Sequence, residues 1–300
     1  MTEQLKDILV RGTAWNGKLR VFAARTTTLV EELRRRHDTF PTATAALGRT
    51  ATVGAMMGAM LKGQEKLTIQ VKGDGPIGQI VVDANAEGDI RGYVDHPQAH
   101  HGSNEQGKLD VAGAVGTSGY IHIIKDLGLK EPYRGSVPII SGELGEDFTY
   151  YFAVSEQTPS AVGVGVLVEP DNSVRHAGGF IVQVMPGMTD EELTRLEHAV
   201  GAMPHVTALL DQGETPEGLL RWLVGDDLTL HDSLELRFQC QCSEDRVGQT
   251  LISLGQYELE KLIQEDGEAE VVCHFCNEAY TFDRAKLTEL LEQAKPKANE

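Results

Sequence analysis

The four cysteines of this 300-residue chain all fall in its last quarter, as Cys240-Gln241-Cys242 and, after thirty residues, Cys273-His274-Phe275-Cys276. A C-x-C followed by a C-x-x-C is what a closed tetrahedral zinc site requires. Each close thiol pair supplies two corners, and folding of the intervening segment brings the pairs together. Each pair is also close enough to be a candidate disulfide once the metal is lost. One feature therefore points to two states, a metal-bound fold and an oxidised, metal-free chain. An iron–sulfur cluster is the competing use of four thiolates, and nothing in the spacing favours it. His274 could stand in for one cysteine; with four thiols to hand it reads as a loop residue. A catalytic zinc keeps one coordination position open for water, whereas this ligand set is complete. The deaminase pattern is missing, because Val271 and Val272 rather than proline precede Cys273.

Other chemistry-bearing patterns are weaker. Gly73-Asp74-Gly75-Pro76-Ile77-Gly78 matches G-x-G-x-x-G after a strand, but a dinucleotide site needs a helix to start there. Pro76 interrupts, and Gln79 to Asp83 continues as a strand, so a Gly-rich turn is expected instead. His96, His100 and His101 cluster beside Pro97 and Gly102-Ser103-Asn104, which reads as solvated loop histidines rather than a metal site. G-x-S-x-G, H-E-x-x-H and the P-loop pattern are all absent. No enzyme constellation is visible, and the chain is expected not to be an enzyme.

Composition narrows the partners. The formal net charge is −18, so duplex nucleic acid and anionic membranes are poor partners. Residues 229–300 carry seven Lys/Arg against fifteen Asp/Glu, or −8, which disfavours a nucleic-acid-binding zinc module. Residues 1–25 show no apolar core followed by a small-residue cleavage site. The most apolar stretch, Ala51 to Leu61, is too short to span a bilayer. A cytoplasmic protein is expected, and its cysteines there read as metal ligands or redox groups.

The elements that must position the thiols follow from periodicity and punctuation. Lys18 to Ala24 reads as a strand, Thr28 to Arg36 as a polar helix, and Pro41 to Leu61 as a buried helix whose Gly54 and Gly58 admit a close neighbour. Strands are expected over Leu67–Val71, Gln79–Asp83, Asp89–Val94, Tyr120–Ile124, Ser136–Ile140, Gly163–Val168 and Phe180–Val184, with a helix over Asp147–Ser155. Runs of strands with few helices between them predict an α+β fold. The texture changes at Pro186-Gly187. Thr189 to Glu192 opens a capped helix, and Thr215-Pro216 opens another carrying Leu219, Leu220, Trp222 and Leu223. These helices are too short to stand alone. From Thr229 a compact segment follows: alternation from Leu234 to Phe238, a helix capped by Ser243, a helix over Glu258–Gln264, a β-knuckle around the second thiol pair, and a helix capped by Asp283. Three parts are expected: a large mixed domain (residues 1–185), a helical linker (186–228) and a small zinc-binding domain (229–300). So small a domain is expected to need a structural metal.

Around the cysteines, Phe238-Gln-Cys-Gln-Cys-Ser-Glu-Asp-Arg246, Glu270-Val-Val-Cys-His-Phe-Cys-Asn277 and Tyr280 resemble the redox-regulated chaperone family known as the thirty-three-kilodalton heat-shock protein. The likeness extends upstream through Ala45–Thr50, Gly73–Gly78, Gly107–Val111, Asp126–Leu129, Ser141–Tyr151, and Gly178–Phe180 to Met185-Pro-Gly187, and so covers essentially the whole chain. The resemblance implies an ATP-independent holdase. One zinc would be held by Cys240, Cys242, Cys273 and Cys276 in a reduced, inactive form. Oxidants would form Cys240–Cys242 and Cys273–Cys276 disulfides with loss of zinc, unfolding of the C-terminal domain and loosening of the linker. Apolar surface would then meet unfolding clients, commonly as a homodimer. Two further readings of the residues stay open: a thiol–disulfide oxidoreductase using Cys273 and Cys276, and a static zinc interaction module.

Overall fold

The computed structural model describes residues 6–99, 101–105 and 107–294, and the chain divides into two units at Gln239/Cys240.

The first unit is built on two sheets. One is five-stranded, in the order β10-β1-β2-β9-β8, from β1 (Ile8–Ala14), β2 (Leu19–Arg25), β8 (Ser160–Val168), β9 (Val174–Val184) and β10 (Leu228–Glu235). The other is six-stranded, in the order β11-β5-β4-β3-β6-β7, from β3 (Lys66–Lys72), β4 (Gln79–Asn85), β5 (Asp89–Val94), β6 (Tyr120–Asp126), β7 (Tyr133–Pro138) and β11 (Arg237–Phe238). Between them runs α2 (Pro41–Gly58), which touches β2, β8 and β9 on one side and β3, β4 and β5 on the other. Burial on all sides explains its composition of Ala, Gly, Thr, Val and Met without one amphipathic stripe. The close approach expected at its glycines is real: a Cβ on Gly54 would sit 2.9 Å from Val82, and one on Gly58 2.7 Å from the Asn85 carbonyl. Helices α1 (Thr27–His37), α3 (Val111–Val115) and α4 (Gly145–Val154) complete this layer.

On the opposite face of the five-stranded sheet lie α5 (Asp190–Ala202), α6 (Val206–Asp211) and α7 (Pro216–Val224). Leu19, Val21 and Ala23 of β2 and Phe180 and Val182 of β9 meet Leu196, Val206, Leu209, Leu210, Leu219, Leu220 and Leu223 there. Phe22, Ala24 and Ile181, one residue out of step, face the α2 side. Helices cover both faces, so these central strands read as near-continuous apolar runs. The helical stretch expected as a linker is thus a layer packed on the first unit.

The boundary expected at residue 229 is displaced. Leu228–Glu235 pairs antiparallel with β1, and Arg237 and Phe238 pair in parallel with Asp89 and Ile90 of β5. These residues complete the sheets of the first unit. Alternation shows a strand but not its distant partner, and the partners here lie in the first hundred residues.

Helix α1 receives no side-chain hydrogen bond from its own N-cap, Thr26. The Asp7 carboxylate takes that place, accepting from the N–H of Leu29 (2.6 Å) and of Thr28 (3.2 Å). Burial pushes the Asp7 pKa up from 3.8 to about 6, against those donors and Arg25, which pull it down. The folded value lies above the unfolded one. The associated stability is therefore full below about pH 4 and is lost as the pH rises through about 6. In urea melts the advantage of wild type over Asp7→Asn is expected to grow by on the order of 3 kcal/mol from pH 7 to pH 4. A difference independent of pH would rule out the raised value.

The second unit contains α8 (Glu244–Ser253), α9 (Gln256–Glu265), the antiparallel hairpin β12 (Glu268–Val272) and β13 (Ala279–Asp283), and α10 (Arg284–Ala294). Its buried core is Val247, Leu251, Leu259, Phe282 and Leu287. The expected caps are in place. Ser243 Oγ accepts from the Arg246 N–H (3.2 Å), and Asp283 Oδ1 accepts from the Lys286 N–H (2.9 Å).

Candidate metal centre

Each thiol pair is set by its own backbone device. The β12–β13 hairpin turns at Cys273–Cys276, where the Cys273 N–H donates to the Glu278 carbonyl (2.9 Å) and the Asn277 N–H to the Cys273 carbonyl (2.8 Å). Asn277 takes the left-handed conformation that this reversal needs (φ 58°). Cys240 and Cys242 lie just ahead of α8. Arg246, in the first turn of that helix, reaches back to the Gln241 carbonyl (2.9 Å) and holds the C-x-C loop against the helix N-terminus.

The four sulfurs come together: all lie within 4.8 Å of one another. Two close contacts run across the pairs, with Cys240 Sγ 3.8 Å from Cys273 Sγ and Cys242 Sγ 3.1 Å from Cys276 Sγ. All four are free thiols; Cys276 is buried and the others are half-buried. The Tyr280 hydroxyl donates to Cys242 Sγ at 3.1 Å. Burial pushes the Cys276 thiol up, and its contact with Cys242 adds to this. Burial also raises Cys242, while the Tyr280 hydroxyl pulls it down. Thiols packed this closely resist ionising together unless a cation compensates their charge. The donor set therefore fits a soft, tetrahedral divalent metal.

His274 lies outside the cluster, and this is the one group of metal-competent side chains among the described residues. His100 lies outside the described residues. His101 faces Asp110 (3.1 Å) with the ring partly in solvent, and His96 is exposed on its loop. Gly73–Gly78 is a turn joining antiparallel β3 and β4, as expected. Its Gly75 and Ile77 N–H groups donate to the Val115 and Ala114 carbonyls. Tyr280 and Arg246 have contacts that spacing could not reveal, since each depends on how the loop before α8 folds against its neighbours.

A two-sheet α+β unit followed by a small unit built around four thiols defines a protein with a closed thiol centre rather than an open catalytic metal site. The family model described as Hsp33 protein matches residues 7–283. The chain is 54% identical to the 33 kDa chaperonin of Geobacillus kaustophilus over 96% of this chain and 99% of that one. It is 56% identical to the 33 kDa chaperonin of Brevibacillus brevis, over 95% and 99%. The crystal structure of the 33 kDa chaperonin (heat shock protein 33 homolog) from Thermotoga maritima superposes with a TM-score of 0.91 at 37% identity, covering 96% of this chain and 99% of that one. The chain belongs to the Hsp33 family, a family of chaperones. Its relatives are named as chaperonins, not enzymes, in line with the expectation drawn from the missing catalytic motifs. No helix among the described residues is long and apolar enough to cross a membrane.

Proposed function

We propose that this chain is a redox-regulated, ATP-independent holdase of the cytoplasm. The observation that carries this reading is the convergence of all four sulfurs within 4.8 Å. Cys240, Cys242, Cys273 and Cys276 would hold one zinc ion, which when bound cross-links a unit too small to be secured by its core alone. Under peroxide, each close pair of thiolates gives up two electrons, forming Cys240–Cys242 and Cys273–Cys276, while each peroxide takes up two protons from solvent and is reduced to two waters. Sulfurs joined in disulfides no longer serve as thiolate ligands, so the small unit loses its cross-link. Along the chain only β10 and β11 separate α7 from Cys240. Loosening that spreads back through them frees α5–α7 and the apolar sheet face beneath. Unfolding proteins bind this surface, and the active form is a homodimer. The net charge of −18 keeps a chain with exposed apolar surface in solution.

The oxidoreductase reading is disfavoured because Cys273 and Cys276 sit in a hairpin turn, not at a helix N-terminus that would activate a thiolate. Light scattering of a heat-unfolding client, with the protein either reduced and zinc-loaded or pre-oxidised, tests the proposal. Suppression of aggregation by the oxidised form alone is expected. Equal suppression by both forms would leave a constitutive chaperone with a static zinc, and no suppression by either would return the oxidoreductase and scaffold readings.

A further inference from the structure

Tyr280 lies on β13, in the hairpin that carries Cys273 and Cys276, opposite Val271 on β12. Its side chain packs against the small unit's core. Its hydroxyl nevertheless donates to the sulfur of the other pair, Cys242, at 3.1 Å. The ring is thus held by one half of the centre while its oxygen serves the other half. Groups that hydrogen-bond to metal-ligating atoms orient them and tune their electron density. A hydroxyl donating to a thiolate withdraws charge from the sulfur. That makes the sulfur a better-placed ligand and a poorer nucleophile.

We propose that Tyr280 is a positioning residue of the four-thiol centre, which holds Cys242 in place for metal and slows its oxidation. The inference rests on the redox reading above. In the step concerned, the Cys242 thiolate attacks one peroxide oxygen. An S–O bond forms, the O–O bond breaks, and hydroxide leaves to be protonated, giving the sulfenic acid. Cys240 then attacks that sulfur, the S–S bond forms and water departs. For a sulfur that bound metal would keep ionised, the thiolate fraction does not change, and nucleophilicity rises with basicity with a slope of about 0.4–0.5, so a tenfold gain in basicity gives about a threefold gain in rate. Outer-sphere partners of metal ligands typically contribute about 10- to 100-fold in metal affinity.

The test uses the full chain carrying Tyr280→Phe, which keeps the ring and removes the hydroxyl. Three readings are taken: zinc affinity by chelator competition without oxidant, the rate of Cys242 oxidation by peroxide from alkylation and mass spectrometry, and the thiolate-to-metal charge-transfer band of the cobalt-substituted protein. The variant is expected to bind zinc about tenfold less tightly and to oxidise at Cys242 about threefold faster. The cobalt band should move to lower energy, a signature that a purely structural role would not produce. Should the small unit of this variant fail to fold, 3-fluorotyrosine at position 280, a stronger donor, is expected to move the same readings the opposite way. Readings that match wild type in both variants, while wild type binds zinc and is oxidised, overturn the role of Tyr280. A wild type that binds no zinc through its thiols overturns the underlying redox reading instead.

Discussion

Removing metal from the reduced chain, or replacing Cys276 with serine, is expected to unfold residues 240–294 while β1–β9 of the first unit stay folded. Among the described residues the second unit has a small buried apolar core, Val247, Leu251, Leu259, Phe282 and Leu287. A core of that size supplies at most about 3–5 kcal/mol of net stability. Structural zinc sites contribute apparent binding energies of about 10–16 kcal/mol, so a zinc cross-link held by these thiols would outweigh the core. Cys276 is the most buried of the four thiols, at 3% exposure, and a serine hydroxyl is a hard donor that serves zinc poorly in its place. Amide hydrogen exchange resolved along the chain reads the result. Protection in α8, α9 and α10 should vanish on chelation, while that in β1–β9 persists. Protection that survives in α8–α10 without metal would mean that the small core suffices and that the thiols are not its main support.

The second large effect concerns the helical layer. Leu220→Ala is expected to convert the reduced protein into one that suppresses client aggregation without oxidant. Leu220 is 0% exposed and lies in the cluster that joins α7 to Leu19 and Val21 of the five-stranded sheet. Truncation of such a side chain costs about 2–5 kcal/mol. That loss falls on helices of nine, six and thirteen residues, which are too short to persist without packing. Their release uncovers the face formed by Leu19, Val21, Ala23, Phe180 and Val182, a contiguous apolar surface of the kind that binds unfolded chains. Light scattering with reduced variant and reduced wild type makes the comparison, and exchange protection retained in β3–β6 shows that the rest of the unit is folded. A folded variant with loosened α5–α7 and no added activity would place client binding elsewhere.

The site was legible in the sequence because its chemistry is local. Two cysteine pairs with short internal spacing each come preassembled, and the segment between them needs only to fold back. Local signals also located α8, with Ser243 before it, and the hairpin around Cys273 and Cys276. The limits lay in non-local pairing. β1 went unread because Ile8-Leu9-Val10-Arg11-Gly12-Thr13-Ala14 has no clean alternation; it lies inside a sheet between β2 and β10. The alternation from Leu234 to Phe238 marks an extended segment but not its unit, since its partners are Ile8–Leu9 and Asp89–Ile90. The strand expected over Ser136–Ile140 runs instead over Tyr133–Pro138. Beyond it the Asp147 carboxylate accepts from the N–H groups of Ile140, Ser141 and Leu144. That arrangement turns the chain into α4, and its donors sit on both sides of a glycine that gives no hint of the partner.

The late strands β10 and β11 also fix an order of events during synthesis. β1 leaves the ribosome long before its second neighbour, residues 228–235, and β5 long before its outer partner, residues 237–238. Among the described residues, neither sheet reaches its full strand count until β10 and β11 have emerged, however early the inner strands pair. The next residue but one is Cys240. On a growing chain, closure of the large unit and the first appearance of a thiol are therefore nearly simultaneous, so the scaffold is finished just as the thiol cluster begins to be made.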